Sequence, residues 1–343
     1  MAKKSKTGVF IVNLGTPDSP STGDVRKYLR EFLMDGRVID VPFLNRWMLV
    51  NLIIAPLRAP KSAKIYKEVW TEKGSPLLLY GEEVCEKLQE ELGKDYIVSL
   101  GMRYQNPSIE SAMEVFKKEP VDEIIVIPMY PQYASATTGS TIEKIQEVMS
   151  DWQVIPTMKY IGQFHKNEEF LEIFARLGRK YLEEQSYDHV IFSYHGLPER
   201  QILKSTKQGY CQLTDKCCSN ATGANQYCYR SQCVHTSFDL AEKLGLKKED
   251  YTICFQSRLG KTPWIKPYTE DVIKQLAEEG KKKILAFSPA FVADCLETII
   301  EIADEYQELF EEHGGEKIQL VESLNAEPDW VACLKNMVHA YEN

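Results

Sequence analysis

The side chains best suited to chemistry fall into three groups: five cysteines at 211, 217, 218, 228 and 233, a histidine at 195, and carboxylates at 294, 297, 301, 305 and 308. Thiolates are soft ligands, and a dense thiol segment points to a metal or a cluster rather than to disulfides in a reducing compartment. Structural zinc usually takes paired short knuckles, which this segment lacks, so its wide spacings fit an iron–sulfur cluster better. Zinc and unligated thiols remain the other readings. Cys85, Cys254, Cys295 and Cys333 are isolated and read as buried and inert. A histidine, with an ordinary pKa of about 6.5, suits proton transfer near neutrality, although His195 could equally be a structural hydrogen-bonder. His165 and His313 read as surface. Asp294 and Glu297 could escort a hard divalent cation, or could simply belong to a solvated helix face.

These groups need elements that hold them. Residues 284–287 read as a buried strand ending at Ser288-Pro289, with a helix beyond. At about 100° per residue, Asp294, Glu301 and Glu305 share one line, with Glu297 and Glu308 beside it and Leu296, Ile299, Ile300 and Ala303 opposite. Further apolar runs at 8–14, 96–100, 123–128, 189–194 and 251–255 read as strands. Helical patterns at 24–33, 62–70, 141–149 and from near Ser108 alternate with them. The alternation predicts an α/β fold with doubly wound parallel sheets. SLGMRYQNPSIESAM in the first half resembles CFQSRLGKTPWIKPYTEDVI in the second, which predicts two similar lobes, 1–165 and 166–324, with a cleft between them. The second lobe would carry a cysteine-rich insert at about 205–234, and 325–343 would form a closing helix. His195 and the Asp294/Glu297 pair then sit at strand C-terminal ends, where open α/β sheets bind ligands. Tyr104, Tyr130, Tyr133, Trp264 and Phe291 crowd the same loop face. Core packing is the ordinary explanation for aromatic residues, but at these positions they would also suit a large flat apolar ligand.

A chain of 343 residues suggests about two domains. A net charge of −9 with no basic stripe argues against a nucleic-acid partner. The basic opening MAKKSKTG lacks the apolar segment of a secretory signal, so a cytoplasmic location is expected. No segment approaches the ~20 apolar residues that span a bilayer. The nearest, WMLVNLIIAPL at 47–57, is broken by Asn51 and closed by Pro56. Core packing is its first reading, and a greasy lip or a patch resting peripherally on the inner face of a membrane is the alternative.

Several stretches together resemble one family, the ferrochelatases of haem biosynthesis. They are VNLGTP at 12–17, RAPK at 58–61, GSP at 74–76, Arg103-Tyr104, YPQYASATTGS at 130–140, SYHGLPER at 193–200, FQSRLG at 255–260 with Pro263-Trp264, and PAFVADCLETIIEIA at 289–303. The resemblance implies insertion of Fe²⁺, a substrate, into protoporphyrin IX to give protohaem, without an organic cofactor. It makes His195 and Glu297 the catalytic pair facing each other across the macrocycle, puts the substrate iron on these two with Asp294 and Glu301, and continues a polar path along the helix through Asp294, Glu301 and Glu305. Arg58, Lys61 and Ser75 would handle propionates. Leu14, Arg103, Tyr104, Trp264, Gln256 and Ser257 would line the porphyrin pocket, joined by Tyr130 and Phe291 from the aromatic loop face. Contacts with preceding or following haem-pathway proteins would also be expected.

Animal members carry a cluster ligand in the YPQY loop and three in a C-terminal extension. This chain has Ser135 in that loop and ends at Asn343. Its cysteine segment instead resembles that of bacterial members with an internal [2Fe–2S] cluster. Cys211, Cys218, Cys228 and Cys233 are the expected ligands, with Cys217 as substitute. The competing functions are a chelatase for another metal or tetrapyrrole, such as cobalt or coproporphyrin, and a non-enzymatic haem or Fe–S redox sensor.

Overall fold

Each long apolar run becomes a strand, because a parallel sheet covered on both faces has no solvated side to fill with polar residues. Val9, Phe10, Ile11 and Val12 are wholly buried in β1 (Lys6–Gly15), as are Ile124 to Ile127 in the third strand. The computed structural model describes residues 6–119, 121–258, 260 and 262–342. The first five residues of the basic opening and Leu259 of FQSRLG lie outside the described residues.

The chain divides into two compact units, Met1–Tyr130 with Ser135–Gln163 and Asn325–Asn343, and Pro131–Ala134 with Phe164–Leu324. The first has β1, β2 (Tyr96–Tyr104), β3 (Val121–Pro128) and β4 (Thr157–Tyr160), all parallel in the order β2-β1-β3-β4. The second has β5 (His189–His195), β6 (Tyr251–Gln256), β7 (Lys283–Phe287) and β8 (Lys317–Leu320), parallel in the order β6-β5-β7-β8. The two sheets repeat one topology, as the doubly wound expectation requires. In this order the chain reverses direction across the sheet beside the first strand of each unit, and the crevice between β1 and β3, or β5 and β7, is the place such sheets offer to a ligand.

The edge strands β4 and β8 were not expected. TMKY and KIQL are four residues long and only partly buried, so they carry no apolar run to reveal them. Helix Pro328–Glu342 packs on helix Pro76–Leu92 in the first unit, where Lys335 pairs with Glu91.

Segment 43–57 departs from the core-packing expectation. It is helical throughout, from Phe43–Met48 through a π turn, Leu49–Ile54, into Ala55–Val69, and Pro56 sits in the first turn of that last helix without stopping it. Val50 and Ala55 are buried, but Phe43, Leu44, Trp47, Met48, Leu49, Leu52, Ile53 and Leu57 are exposed. A helix that is apolar all round has only one face to bury against its own unit, and the surplus stays outside.

Gly15 ends β1 at φ 114°, a conformation that side chains strongly disfavour, and a Cβ there would lie 2.0 Å from the Tyr104 carbonyl oxygen. The glycine lets β1 and β2 finish in contact, which places Leu14 and Thr16 at the sheet's ligand-facing end.

Candidate active site

In the second unit, β5, β6 and the segment after β7 deliver the reactive side chains. His195 is the last residue of β5 and is half-buried. Its Nδ1 lies 2.7 Å from the Gly196 carbonyl oxygen, which can only accept, so Nδ1 carries the proton and Nε2 keeps the basic lone pair. Tyr229 donates to the His195 carbonyl at 2.9 Å, and the Trp264 ring centroid lies 6.4 Å from the imidazole. The histidine is therefore held at its backbone carbonyl and at Nδ1.

Gln256 ends β6 and is buried. Ser193 Oγ donates to its Oε1 at 2.7 Å, which forces the amide nitrogen to point the other way. That nitrogen donates to the Glu297 carbonyl and to Glu301 Oε2, both at 2.9 Å. Ser257 follows at φ 64°, a left-handed geometry costing roughly 1–2 kcal/mol for a non-glycine residue, and its hydroxyl reaches Glu301 Oε2 at 2.5 Å. Tyr306 Oη donates to Glu301 Oε1 at 3.0 Å. Burial, with Glu301 adding to it, pushes the Tyr306 phenol far above its ordinary value, so it stays a donor.

The single long helix expected here is broken. Residues 288–295 form a loop, so Asp294 precedes the helix, which then runs as Leu296–Ile299, a π turn Glu301–Glu305, and Tyr306–Glu312. Glu305 N bonds Ile300 O at 2.9 Å, the five-residue spacing of a π turn. Through the wider turn Ile302, Tyr306 and Phe310 enter the core and Ala303 is half-buried; of the expected core residues ahead of it, Ile300 is buried, and Leu296 and Ile299 are half-buried. Asp294, Glu297 and Glu301 are half-buried, and Glu305 and Glu308 are exposed. Asp294 Oδ1 accepts from Thr298 Oγ1 at 3.0 Å and from Ser323 N at 3.3 Å. Cys295, read as inert, is buried and shares a hydrogen bond with Glu297, and burial drives its thiol pKa up. His165, read as surface, is also buried, and burial brings its pKa down to about 4. Phe291 is half-buried in the loop after β7.

In the first unit, Leu14 is half-buried beside Gly15. Arg58 and Lys61 are exposed on helix Ala55–Val69, and Ser75 is buried with Thr16 Oγ1 at 2.9 Å. Arg103 bonds Asp35 and the Ser140 hydroxyl, both at 2.7 Å, and stacks its guanidinium on Tyr104 at 4.5 Å. Tyr104 has no exposed surface and donates to Asp35 at 2.9 Å, so it props Asp35 rather than lining a pocket. The Tyr130 hydroxyl is buried and interacts with that of Thr141.

The cysteine segment folds its thiols into a row. Cys211 contacts Cys217, the Cys217 and Cys218 sulfurs lie 4.0 Å apart, and Cys218 hydrogen-bonds Cys228. That bond holds the Cys228 thiol below its usual range and lifts Cys218. Cys233 is fully buried nearby on helix Tyr229–Lys243, and Arg230 Nη1 lies 3.0 Å from Cys218 Sγ. Among the described residues, no three His, Cys, Asp or Glu side chains are grouped to hold a metal ion. The donors are all thiols, which is the chemistry an iron–sulfur cluster uses, and Cys228 has Cys218, Cys211 and Cys233 all within electrostatic reach.

A family description, Ferrochelatase, matches residues 6–342. The chain belongs to the ferrochelatase family. Ferrochelatase of Legionella pneumophila (strain Lens) is 44% identical over 334 residues, 97% of this chain and 99% of that relative. Ferrochelatase of Coxiella burnetii (strain Dugway 5J108-111) is 43% identical over 334 residues, 97% of this chain and 93% of that relative. Among solved structures, SirB from Bacillus subtilis with Fe³⁺ aligns with a TM-score of 0.54 at 13% identity, covering 97% of this chain and 94% of that one. This likeness supports the two-sheet chelatase fold alone. As a ferrochelatase, the chain is a lyase-class metal chelatase that inserts ferrous iron into a porphyrin to make haem.

Ser193, Tyr229 and Tyr306, which hold the site together, went unnoticed in the sequence. Ser193 and Tyr306 had signals, since each lies within or beside a quoted ferrochelatase motif. Tyr229 had none, because it acts from an element 34 residues along the chain.

Proposed function

We propose that His195 accepts the pyrrole protons of protoporphyrin IX through Nε2, and that Asp294, Glu297 and Glu301 receive the ferrous ion as it sheds its water. The observation that carries this is the 2.7 Å contact between His195 Nδ1 and the Gly196 carbonyl oxygen. With Nδ1 committed to Gly196, the free lone pair is the one a general base needs. Removing water from a divalent ion in an apolar pocket is prohibitive without replacement ligands, and carboxylates supply hard oxygen donors. Leu14, Tyr130, Trp264 and Phe291 are assigned to the macrocycle's faces, and Arg58, Lys61 and Ser75 to its propionates. Gln256 and Ser257, first expected in the porphyrin pocket, are supported instead as partners of Glu301.

The test is anaerobic incubation with Fe²⁺ and protoporphyrin, following the metalloporphyrin bands. His195→Ala is expected to lose about 10²- to 10⁴-fold in turnover, and near-normal rates would refute its role. Repeating the assay with Co²⁺ and coproporphyrin fixes the substrate preference.

Cys211, Cys218, Cys228 and Cys233, with Cys217 as substitute, are proposed to hold a [2Fe–2S] cluster. A bound cluster of this kind supplies one-electron exchange. The supporting feature is the row of contacting thiols, with Arg230 directed at one of them. Visible absorption of aerobically purified protein should bleach in single Cys→Ser variants, whereas a colourless zinc-loaded protein would refute the assignment. No helix among the described residues is long and apolar enough to cross a membrane. A cytoplasmic enzyme resting peripherally on the inner membrane face through residues 43–57, in contact with its neighbours in haem synthesis, is the location we propose.

A further inference from the structure

Both carboxylate oxygens of Glu301 have side-chain donors. Tyr306 Oη occupies Oε1 at 3.0 Å, while Gln256 Nε2 and Ser257 Oγ occupy Oε2 at 2.9 and 2.5 Å. An ionised carboxylate offers about four lone-pair directions, so among the described residues these three donors leave one, on Oε1. The donors are themselves held. Thr269 Oγ1 lies 3.0 Å from Ser193 Oγ, Ser193 donates to Gln256, and the resulting relay allows the Gln256 amide one orientation only. Tyr306 is buried in the second unit's core, and the left-handed backbone of Ser257 aims its hydroxyl. Each of these arrangements restricts the carboxylate. Glu297 differs, since Gln256 reaches its backbone carbonyl rather than its side chain.

We infer that Tyr306, Gln256 and Ser257 are positioning residues that fix Glu301 as a one-coordinate anion for the incoming ferrous ion. A carboxylate with four open lone pairs binds a hard cation bidentately and releases it slowly. One with a single open direction binds it through one oxygen and can pass it on. The three residues therefore act on iron through Glu301 and make no contribution of their own to porphyrin binding. This rests on the reading of Glu301 as an iron-path carboxylate, and the experiment separates the two.

Tyr306→Phe removes only the hydroxyl and keeps the buried ring, and Ser257→Ala removes only its donor. Each variant, checked for an unchanged thermal transition, is assayed anaerobically with Fe²⁺ and protoporphyrin varied independently. The expected result is a change of about tenfold in the KM for Fe²⁺ with the KM for porphyrin unmoved, in line with the loss of one hydrogen bond to a charged group. The same two substitutions are then made in Glu301→Gln, where neither should change the iron KM by more than about twofold, because residues that act through one partner lose their effect with it. An effect of Tyr306→Phe that persists in Glu301→Gln would overturn the inference, as would a shift confined to the porphyrin KM. If Glu301→Gln is impaired but Tyr306→Phe and Ser257→Ala behave as wild type, the inference alone falls. If Glu301→Gln itself keeps wild-type iron kinetics, the iron-path reading falls and takes the inference with it.

Discussion

Arg103 Nη2 lies 2.7 Å from Asp35 Oδ2, and the same oxygen receives the hydroxyls of Tyr104 and Ser140. The pair joins the end of β2 to the turn after helix Thr22–Met34, and both partners are largely buried. Its donors converge on one oxygen, so the network has a single point of failure.

Asp35→Ala should therefore cost about 3–5 kcal/mol, because it leaves the Arg103 charge buried without its partner. Urea denaturation of the variant beside wild type measures this. A loss under about 1 kcal/mol would mean that the pair is solvated.

Acid should weaken the enzyme in two separable windows. Burial by itself would raise the Asp35 pKa, but Ser140, the Arg37 N–H, Arg103 and Tyr104 outweigh it and hold the group below its usual 3.8. A lowered carboxylate contributes stability above the unfolded value that is lost as pH falls through the folded one, so this share disappears below about pH 4. His165 has its pKa brought from 6.5 down to about 4, first by burial and then by Lys166 and His235. Between about pH 4 and 6.5 the unfolded chain takes up a proton that the folded one refuses, so stability climbs with pH across that range. His165→Gln should flatten the slope there, and Asp35→Asn should alter it only below about pH 4, with denaturation midpoints against pH as the readout.

Replacing Leu52, Ile53 and Leu57 with serine should leave stability within about 0.5 kcal/mol per site, because all three side chains are exposed. Co-sedimentation with anionic lipid vesicles should fall. Unchanged co-sedimentation would remove residues 43–57 from the proposed membrane contact.

How much of this was readable in advance varies by element. The four central strands, β1, β3, β5 and β7, were legible because burial on both faces writes itself as an apolar run, and the edge strands β2 and β6 were legible from shorter runs of the same kind. His195 was legible because it stands directly at the end of one. The acidic helix was read with the wrong faces, since a wheel of 100° per residue has no means of registering a π turn that comes from one extra backbone residue. Tyr104 read as pocket lining because its loop-side position was visible, while its partner Asp35, 69 residues away, was not. Residues 47–57 read first as core, with an exposed lip as the alternative, because hydrophobic composition carries no information about what the rest of the chain leaves uncovered.

The π turn at Glu301–Glu305 takes up one extra residue while the helix beyond it keeps its facing. Deleting Ala303 or Asp304 would restore ordinary four-residue pairing and leave Phe310 in the core, so the change would be confined to the widened backbone that carries Glu301. Deleting a residue of the regular helix Tyr306–Glu312 would instead turn every later side chain by about 100°. The one turn that departs from regular helix is thus the one where the chain can lose a residue and keep its hydrophobic interior.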